Sequence, residues 1–366
     1  MILLNDLKRQ QLALGAELKA AVCKVCDRGW YALGEEVRGF EAEFASYCGV
    51  ANCIALNSGT DALELALRCL GIGDDDVVVT VANAGGYAST AIRLVGATPH
   101  YVDVDGFSMN MTAASLQDAI ADVSAVIITH LYGRLAAMDE LVAIARGAGV
   151  PVIEDASHAH GARRAGRRAG AMSNLACFSF YPTKNLGAAG DAGAIVTDDE
   201  GLSKRCRQLA QYGWSTRYNA ELAGGRNSRM DEMQAAVLRI KLPHLDGWND
   251  RRRQIAAQYE QGLQNIPQLR LHTRGTDDDT VHLFVVECQD RDTVVEDLQK
   301  AGVGAAAHYP VADHRQRAFA DCHRSESLSV TEALCDAVMS LPCYPEITDD
   351  EVATVIGAVR GVLGCD

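Results

Sequence analysis

Short apolar runs that alternate with helical stretches, from residue 53 to residue 197, constrain the fold more than any other feature of this sequence. The runs read CIAL, VVVTV, HYVDV, AVIITH, VPVIED, ACFSF and AIVTD. Each is apolar along most of its length, which is typical of strands that are covered on both faces. Strands separated by helices form mainly parallel sheets. The sequence therefore predicts an α/β fold whose large domain holds a mainly parallel, seven-stranded sheet flanked by helices.

A second, smaller unit is expected after this region. The chain has 366 residues, which is more than one compact core usually contains. A helix is predicted from about residue 230 to residue 242, opened by Ser228 and Asp231 at capping-box spacing. The pattern beyond it indicates a small α+β unit. We therefore expect a large domain over residues 1–244 and a C-terminal α+β domain over residues 245–366.

The charge of the chain and its lack of targeting signals limit the classes of function. The formal net charge is -14, whereas nucleic-acid binding needs a basic face for the phosphate groups. No apolar run is long enough to span a bilayer, and the start, MILLNDLKRQQ, lacks the apolar core of a signal peptide. We expect a cytoplasmic protein that has neither nucleic acid nor a membrane as a partner.

The twelve cysteines indicate neither a disulfide framework nor a metal site. They are scattered through a long chain, and many lie in apolar helix or strand patterns. Cys23 and Cys26 have the spacing of a metal or redox pair, but no second pair accompanies them and they lie in a helical pattern. We expect reduced thiols, most of them in the core, and no bound metal.

Small and polar residues cluster where an open α/β sheet binds ligands, at the carboxyl ends of strands and the starts of helices. In NSGTDAL, the residues Ser58, Gly59 and Thr60 join a strand to a helix, so free N–H groups and a hydroxyl can hold a phosphate. An ordinary helix start with a serine cap looks the same. In VIEDASHAHGA, Asp155 ends a strand and His158 follows three residues later. A carboxylate there either caps a helix or pairs with a protonated ring nitrogen of a cofactor.

A lysine that precedes a run of small residues completes this group. In FSFYPTKNLGAAGDAG, Ser179 offers a hydroxyl and Lys184 can reach over a ligand, although most lysines are solvated surface residues. Asn227, in GGRNSRMD, adds an amide just before a helix. These residue types suit pyridoxal 5'-phosphate (PLP). The lysine forms an imine and moves protons, the carboxylate keeps the pyridine nitrogen protonated, and dipoles hold the phosphate.

The same residues lie in motifs that resemble the DegT/DnrJ/EryC1/StrS family of PLP-dependent sugar aminotransferases, which have fold type I. The resemblance covers almost the whole chain in family order, through GEEVRGFEAEFASYCGV, NSGTDALELALRCLGIG, GATPHYVDVD, HLYG, EDASHAHGA, FSFYPTKNLGAAGDAGAIVTDD, NSRMDEMQAAVLRIKL and LPCYPEIT. It implies that Lys184 is the imine-forming lysine and proton carrier, and that Asp155 partners the pyridine nitrogen. The phosphate ligands that it implies are Gly59, Thr60 and Ser179. It also implies a homodimer with shared sites, in which Asn227 contacts the phosphate of the partner's cofactor.

Two positions depart from the commonest family pattern. Where many members carry glutamine beside the phenolic oxygen of the cofactor, this chain has His158. The aromatic residue that covers the cofactor lies in the segment matching VANAGGYASTA, where Tyr87 is the only ring. A tyrosine that is simply packed at a helix start is the alternative. We expect both residues to contact the cofactor.

The family usually moves an amino group from glutamate to a keto group of a nucleotide-linked sugar. YGWSTRY and RIKLPHLDGWNDRRR look more similar to members that act on the C3 ketone of a dTDP-linked 3-keto-6-deoxyhexose than to members that act at C4. The basic turn RRAGRR, at residues 163–168, could reach a diphosphate or could form a solvated hairpin tip.

The sequence leaves other functions open. Aminotransferases that act at C4 of a sugar nucleotide, on a cyclitol or in an aminoshikimate-type pathway share these motifs. A dehydratase of the same family would carry histidine in place of Lys184. The intact lysine also disfavours a non-catalytic regulator that binds PLP or a nucleotide sugar. A Rossmann dehydrogenase is disfavoured because no G-x-G-x-x-G follows the first strand.

Overall fold

The computed structural model describes residues 1–272, 275–325 and 327–365. Its α-helices are α1 (Leu7–Arg28), α2 (Glu35–Cys48), α3 (Gly59–Cys69), α4 (Tyr87–Leu94), α5 (Ala113–Ala119), α6 (Met138–Gly147), α7 (Glu200–Leu209), α8 (Glu232–Lys241), α9 (Leu245–Leu263), α10 (Arg291–Lys300), α11 (Ser329–Ala337) and α12 (Asp349–Val362). Its strands are β1 (Asn52–Leu56), β2 (Val77–Val81), β3 (Thr98–Val102), β4 (Ala125–Thr129), β5 (Val152–Asp155), β6 (Arg163–Arg164), β7 (Arg167–Arg168), β8 (Leu175–Ser179), β9 (Gly193–Thr197), β10 (Trp214–Thr216), β11 (Asn219–Ala220), β12 (Leu269–Leu271), β13 (Phe284–Cys288), β14 (His323–Arg324) and β15 (Val338–Leu341). Within the described ranges, none of the helices combines the length and the apolar character that crossing a membrane requires.

An eight-stranded sheet lies at the centre, in the order β1-β9-β8-β5-β4-β2-β3-β14. Seven of these strands are the apolar runs of the sequence, so the predicted α/β class is confirmed, and the sheet has one strand more than the seven predicted. The strands from β8 to β14 in this order pair in parallel, whereas β9 is antiparallel to both of its neighbours. The eighth strand, β14, comes from the C-terminal part of the chain. Its two residues are too few to give a periodic signal in the sequence.

Burial on both faces explains why these strands are apolar throughout. Successive side chains of a strand point to opposite faces. Val78 and Ile127 pack into a cluster with α3, α4 and α7, whereas Val79 and Ile128 pack into another cluster that includes the aromatic residues of α2. Because both faces of the sheet are covered, a ligand can reach it only at the strand ends and the loops that follow them.

The C-terminal part forms a three-stranded antiparallel sheet in the order β12-β13-β15, packed against α9, α10 and α12. This is the smaller α+β unit expected from the sequence. Many contacts cross the expected boundary; for example, β14 joins the large sheet and Ile2 pairs with Val303. The division into residues 1–244 and 245–366 therefore stays a prediction.

The capping box predicted for α8 is wrong. The helix begins at Glu232, and its N-cap residue Asp231 makes no capping bond with its side chain. Ser228 instead donates a hydrogen bond of 2.7 Å to Asp61 at the start of α3. The Glu232 carboxylate turns to α2, where it accepts from the backbone N–H groups of Gly34, Glu36 and Val37. Both side chains bind to neighbouring helices, and the spacing of residues along the sequence does not indicate such contacts.

Candidate active site

A cavity of about 450 Å³ opens at the carboxyl ends of the parallel strands, between the large sheet and residues of the C-terminal part. Seven of the eight site residues predicted from the sequence line it: Gly59, Thr60, Tyr87, Asp155, His158, Ser179 and Lys184. The eighth, Asn227, lies elsewhere. The cavity is therefore the candidate active site.

The start of α3 forms a narrow cradle. The Ser58 hydroxyl caps the helix by accepting a hydrogen bond of 3.1 Å from the backbone N–H of Asp61. Gly59 packs so closely on Ser179 that a Cβ at Gly59 would lie 2.6 Å from Ser179 Cβ. Ser179 and Thr60 are half-buried beside this contact and line the cavity. Two hydroxyls and the free N–H groups of a helix start suit a phosphate, and a side chain in place of Gly59 would disrupt the cradle.

Asp155 is the last residue of β5 and is buried at the edge of the cavity. Its Oδ1 accepts a hydrogen bond of 3.1 Å from the backbone N–H of Ser157, which fixes the carboxylate at the strand end. A buried carboxylate is stable only with a cationic or hydrogen-bonding partner. Lys184 lines the same cavity, and the Asp155 charge acts on its amine.

Lys184 lies in a tight loop after β8. Its backbone N–H donates to the Tyr181 carbonyl over 2.8 Å, and a Cβ at Gly187 would lie 2.3 Å from the Pro182 carbonyl oxygen. Burial lowers the pKa of Lys184 to about 8, against the opposing effect of the Asp155 charge. Near pH 8 a large fraction of this amine is therefore neutral and nucleophilic, whereas an exposed lysine is almost fully protonated.

Another lysine, which is buried, binds this loop from outside the cavity. Lys241, the last residue of α8, donates from Nζ to the Gly187 carbonyl over 2.7 Å. Burial also lowers the pKa of Lys241 to about 8. A lowered lysine pKa alone therefore does not identify the reactive amine. Lys184 is distinguished by its place in the cavity beside Asp155.

The His158 ring is buried at the cavity, and its Nδ1 accepts a hydrogen bond of 3.2 Å from the backbone N–H of Tyr132. A backbone N–H can only donate, so Nδ1 carries no proton. Burial, together with the positive charge of Lys184, lowers the pKa of His158 well below its usual value. The ring is therefore neutral, has its proton on Nε2 and offers one donor to the cavity.

Tyr87 is the first residue of α4, and half of its surface is exposed. The turn before it contains Gly85 and Gly86, with φ angles of 78° and 80° that favour glycine. The Tyr87 and Tyr309 rings meet edge to face, with centroids 6.1 Å apart. A Cβ at Gly85 would lie only 2.8 Å from the Tyr309 ring. The glycines thus let Tyr309 pack directly on the turn that places Tyr87 at the cavity.

Asn227 is exposed and lies outside the cavity of its own chain. The loop that carries it is anchored on α3, because Ser228 donates to Asp61 and Arg226 forms ion pairs with Asp61 and Glu64. Its exposed side chain is accessible to a second subunit. The role of Asn227 in a partner's site stays a prediction.

The C-terminal part contributes residues to the cavity lining that were not predicted from the sequence, and three of them carry polar rings: His282, His308 and Tyr309. They lie far from Lys184 along the chain, and a single histidine in a sequence is more often packed or solvated than functional. The one local signal is HYP, in which two polar rings precede a proline after a run of small residues.

The basic turn at residues 163–168 forms the hairpin of β6 and β7, away from the cavity. Each arginine pairs with an aspartate of the same chain: Arg163 with Asp277, Arg164 with Asp278, Arg167 with Asp139, and Arg168 with Asp246. These pairs satisfy the cations within the chain. The structure therefore does not support the expectation that this turn reaches a substrate diphosphate.

Comparisons with known proteins agree with one another. The model of the DegT/DnrJ/EryC1/StrS aminotransferase family matches residues 13–360. The chain is 44% identical to the dTDP-3-amino-3,4,6-trideoxy-alpha-D-glucose transaminase of Streptomyces venezuelae, over 97% of this chain and 94% of that protein. It is 42% identical to the erythromycin biosynthesis sensory transduction protein EryC1 of Saccharopolyspora erythraea, over 97% and 98%. The solved structure of S. venezuelae DesV in complex with a ketimine intermediate superposes with a TM-score of 0.94 at 43% identity, covering 98% of this chain and 97% of DesV.

Proposed function

The chain belongs to the DegT/DnrJ/EryC1/StrS aminotransferase family, and on this basis we propose that it moves an amino group from glutamate to the C3 ketone of a dTDP-linked 3-keto-6-deoxyhexose, with PLP as cofactor. The observation that carries the proposal is Lys184, an amine of lowered pKa in a cavity that also holds a carboxylate and a phosphate cradle. An amine, a carboxylate and phosphate donors in one cavity are the groups that PLP-dependent amino transfer requires.

The residues of the cavity fit PLP. The cradle at Gly59, Thr60 and Ser179 suits the phosphate, and its close glycine contact leaves no room for a larger residue. Asp155 suits the pyridine nitrogen, and Lys184 suits the aldehyde carbon. When bound, PLP supplies an electron sink for the carbon that loses its proton.

Each of the other groups has one task. In both half-reactions, the Lys184 amine would take a proton from one atom of the bound reactants and return it to another. A positioned base of this kind contributes ~10²–10⁴-fold in rate. With PLP bound, the Asp155 carboxylate would keep the ring nitrogen protonated. The Nε2–H of His158 would be available to the phenolic oxygen, since its other ring nitrogen is occupied by the backbone of Tyr132. Tyr87 would cover the face of the ring.

The proposed substrate rests on the relatives and on the cavity. The S. venezuelae relative is by name a transaminase of a dTDP-linked 3-amino sugar, and 44% identity along 97% of this chain supports a similar substrate here. A cavity of about 450 Å³ has room for the cofactor ring and a hexose. The nucleotide would extend toward the cavity mouth.

The charges of the cavity support a shared site. Among the described residues that line it, Lys184 is the only lysine or arginine. Glutamate brings two carboxylates and a sugar nucleotide brings a diphosphate, and buried anions need cationic or N–H partners. We infer that a second copy of the chain supplies part of them in a homodimer, with Asn227 at the phosphate of the partner's cofactor. We expect this dimer in the cytoplasm.

Two alternatives are separated by the product formed. An aminotransferase that acts at C4 or on a cyclitol would use the same residues. A non-catalytic regulator is the alternative from another class, since one relative at 42% identity is described as a sensory transduction protein. The cavity favours catalysis, because it holds Lys184 together with Asp155 and the phosphate cradle, the groups that amino transfer requires.

The test is a product screen. Purified protein with PLP and glutamate is offered keto-sugar nucleotides with the ketone at C3 or C4 and a keto-cyclitol, and NMR locates the new amine. We expect amination at C3, and none by the variant Lys184→Ala. Borohydride reduction followed by peptide mapping should place the cofactor on Lys184. An amine at C4 or on the cyclitol rejects the substrate, and PLP fixed on another lysine rejects the whole proposal.

A further inference from the structure

Two neighbouring histidines of the cavity offer different hydrogen-bonding groups to a ligand: one offers a donor and the other an acceptor. The ring centroids of His158 and His282 lie 4.4 Å apart, and the ring planes are tilted by 40°. Both residues line the cavity. His158 has a bare Nδ1 and a proton on Nε2, so it is a donor there. His282 has the opposite tautomer, with its proton on Nδ1 and a bare Nε2.

The tautomer of His282 follows from a chain of amide contacts. Asn185 Nδ2 donates to the Thr280 carbonyl over 3.0 Å and to Asn249 Oδ1 over 2.9 Å. Asn249 Nδ2 in turn donates to the His160 carbonyl over 2.8 Å. Carbonyl oxygens only accept, so both amides have a single consistent orientation. The Asn185 Oδ1 is therefore the acceptor that faces His282 Nδ1 at 3.1 Å, and this Nδ1 carries a proton.

Both rings are neutral, so each carries one proton. Burial lowers the pKa of His282 well below its usual value, and the neighbouring His158 and Lys184 lower it further. With the proton on Nδ1, the Nε2 of His282 is bare and can only accept. Tyr132 links the two residues through the backbone, because its N–H donates to His158 Nδ1 and its carbonyl accepts from the backbone N–H of His282 over 2.8 Å.

We infer that His282 is a specificity-determining residue whose Nε2 accepts a hydrogen bond from a hydroxyl next to the reacting ketone of the sugar. The inference rests on the proposed aminotransferase function. In the complex with the sugar, an acceptor of the cavity lining that receives no donor is costly, and the ketone and phosphate groups of a keto-sugar nucleotide bring no donor at neutral pH, whereas its sugar hydroxyls do. His158 is a donor already assigned to the phenolic oxygen, so the two rings do not compete for one group. Asn185 is the positioning residue that fixes the His282 tautomer.

The tautomers are measured first, by NMR of the holoenzyme labelled with ¹⁵N-histidine. The His282 signals are assigned by their loss in His282→Phe. We expect a proton on Nδ1 and none on Nε2 of His282, without titration between about pH 6 and pH 9, as its strongly lowered pKa requires. Asn185→Leu removes the acceptor and should yield a mixture of tautomers. A protonated Nε2 in the wild-type protein overturns the inference.

Substrate selection is measured second, by calorimetric affinity and by kcat/KM. The ligands are a dTDP-linked 3-keto sugar with hydroxyls at C2 and C4 and its two analogues that lack one of them. We expect the wild type to disfavour one analogue by about 10- to 100-fold. His282→Phe should reduce this preference to within about twofold, whereas the exposed control His244→Phe should keep it.

The outcomes separate this inference from the function on which it rests. An unchanged preference in His282→Phe, or no preference in the wild type, overturns the role of His282 even when amination proceeds. A His282-dependent preference in affinity without any aminated product keeps the inference and rejects the aminotransferase reaction. If His282→Phe does not fold, Asn185→Leu takes its place and should weaken the same preference.

Discussion

The carboxylate of Asp313 accepts a hydrogen bond of 2.5 Å from the hydroxyl of Ser89, which itself accepts one of 3.0 Å from Tyr101. All three residues are buried. Ser89 lies in the first turn of α4, whose first residue is Tyr87. The C-terminal part of the chain thus holds in place the helix that carries the proposed cofactor-stacking ring.

Asp313→Asn should change how stability depends on pH. Burial raises the pKa of Asp313 to about 7. The folded chain therefore holds a proton that the unfolded chain loses above about pH 4, and the free energy of unfolding falls as the pH rises from about 4 to 7. The asparagine variant lacks this effect. Relative to wild type, it should gain about 3 kcal/mol between pH 5 and pH 8 in urea unfolding, because about two pH units of this window lie below the folded pKa.

The matched control is Asp75→Asn, which changes an exposed aspartate. Its difference from wild type should be the same at both values of pH. An Asp313→Asn difference that also stays constant would show that Asp313 is already ionised in the folded protein at pH 5.

Uptake of PLP by the apoprotein should follow the neutral form of Lys184. Because the pKa of this amine is lowered to about 8, the rate of covalent uptake should rise with pH and level off above about 8 to 9. Stopped-flow absorbance measures it. Nα-acetyl-lysine, whose amine has an ordinary pKa near 10.4, should still accelerate across this range. A protein profile that rises in parallel with this model amine contradicts the lowered pKa.

Asp155→Asn should have two separable effects. Its amide keeps an acceptor for the Ser157 N–H but removes the charge. Amino transfer should fall by at least about 100-fold, because the protonated ring nitrogen loses its partner. The Asp155 charge raises the pKa of Lys184, so the PLP uptake profile should move to lower pH in the variant. Asp191→Asn, at an exposed aspartate of the same cavity, is the comparison and should change activity by less than tenfold.

Mixed dimers test the shared site. If Asn227 serves the partner's site, a heterodimer of Lys184→Ala and Asn227→Ala chains has one doubly damaged site and one intact site. Mixing the two weak variants under conditions of subunit exchange should restore up to about half of the normal activity per exchanged dimer. Activity that stays at the average of the two variants, with exchange confirmed by mass spectrometry, would place Asn227 in the site of its own chain.

The sheet and most of the candidate site could be predicted because both depend on local sequence. Strands buried on two faces must be apolar throughout, so the runs that became β1 to β5, β8 and β9 were recognisable. Residues that contact a ligand are therefore expected at the ends of such strands, and this is where Gly59, Asp155, Ser179 and Lys184 lie.

The features that escaped prediction depend on contacts between distant segments. His282 and its partner Asn185 meet only in the folded chain, and nothing near either residue indicates the pairing. The same holds for Glu232, which caps α2 instead of its own helix. The arginines at residues 163–168 looked free for a ligand until the fold brought aspartates to them.

The anchor between Ser228 and Asp61 has a genetic consequence. Asp61 lies in the first turn of α3, beside the chain's own phosphate cradle, and through Ser228 it also holds the loop of Asn227 that we assign to the partner's site. In a dimer of one normal and one Asp61→Ala chain, one site would have a damaged cradle and the other a displaced Asn227. Such an allele should therefore be dominant when co-expressed with the normal one, whereas Lys184→Ala would leave one site of every mixed dimer working.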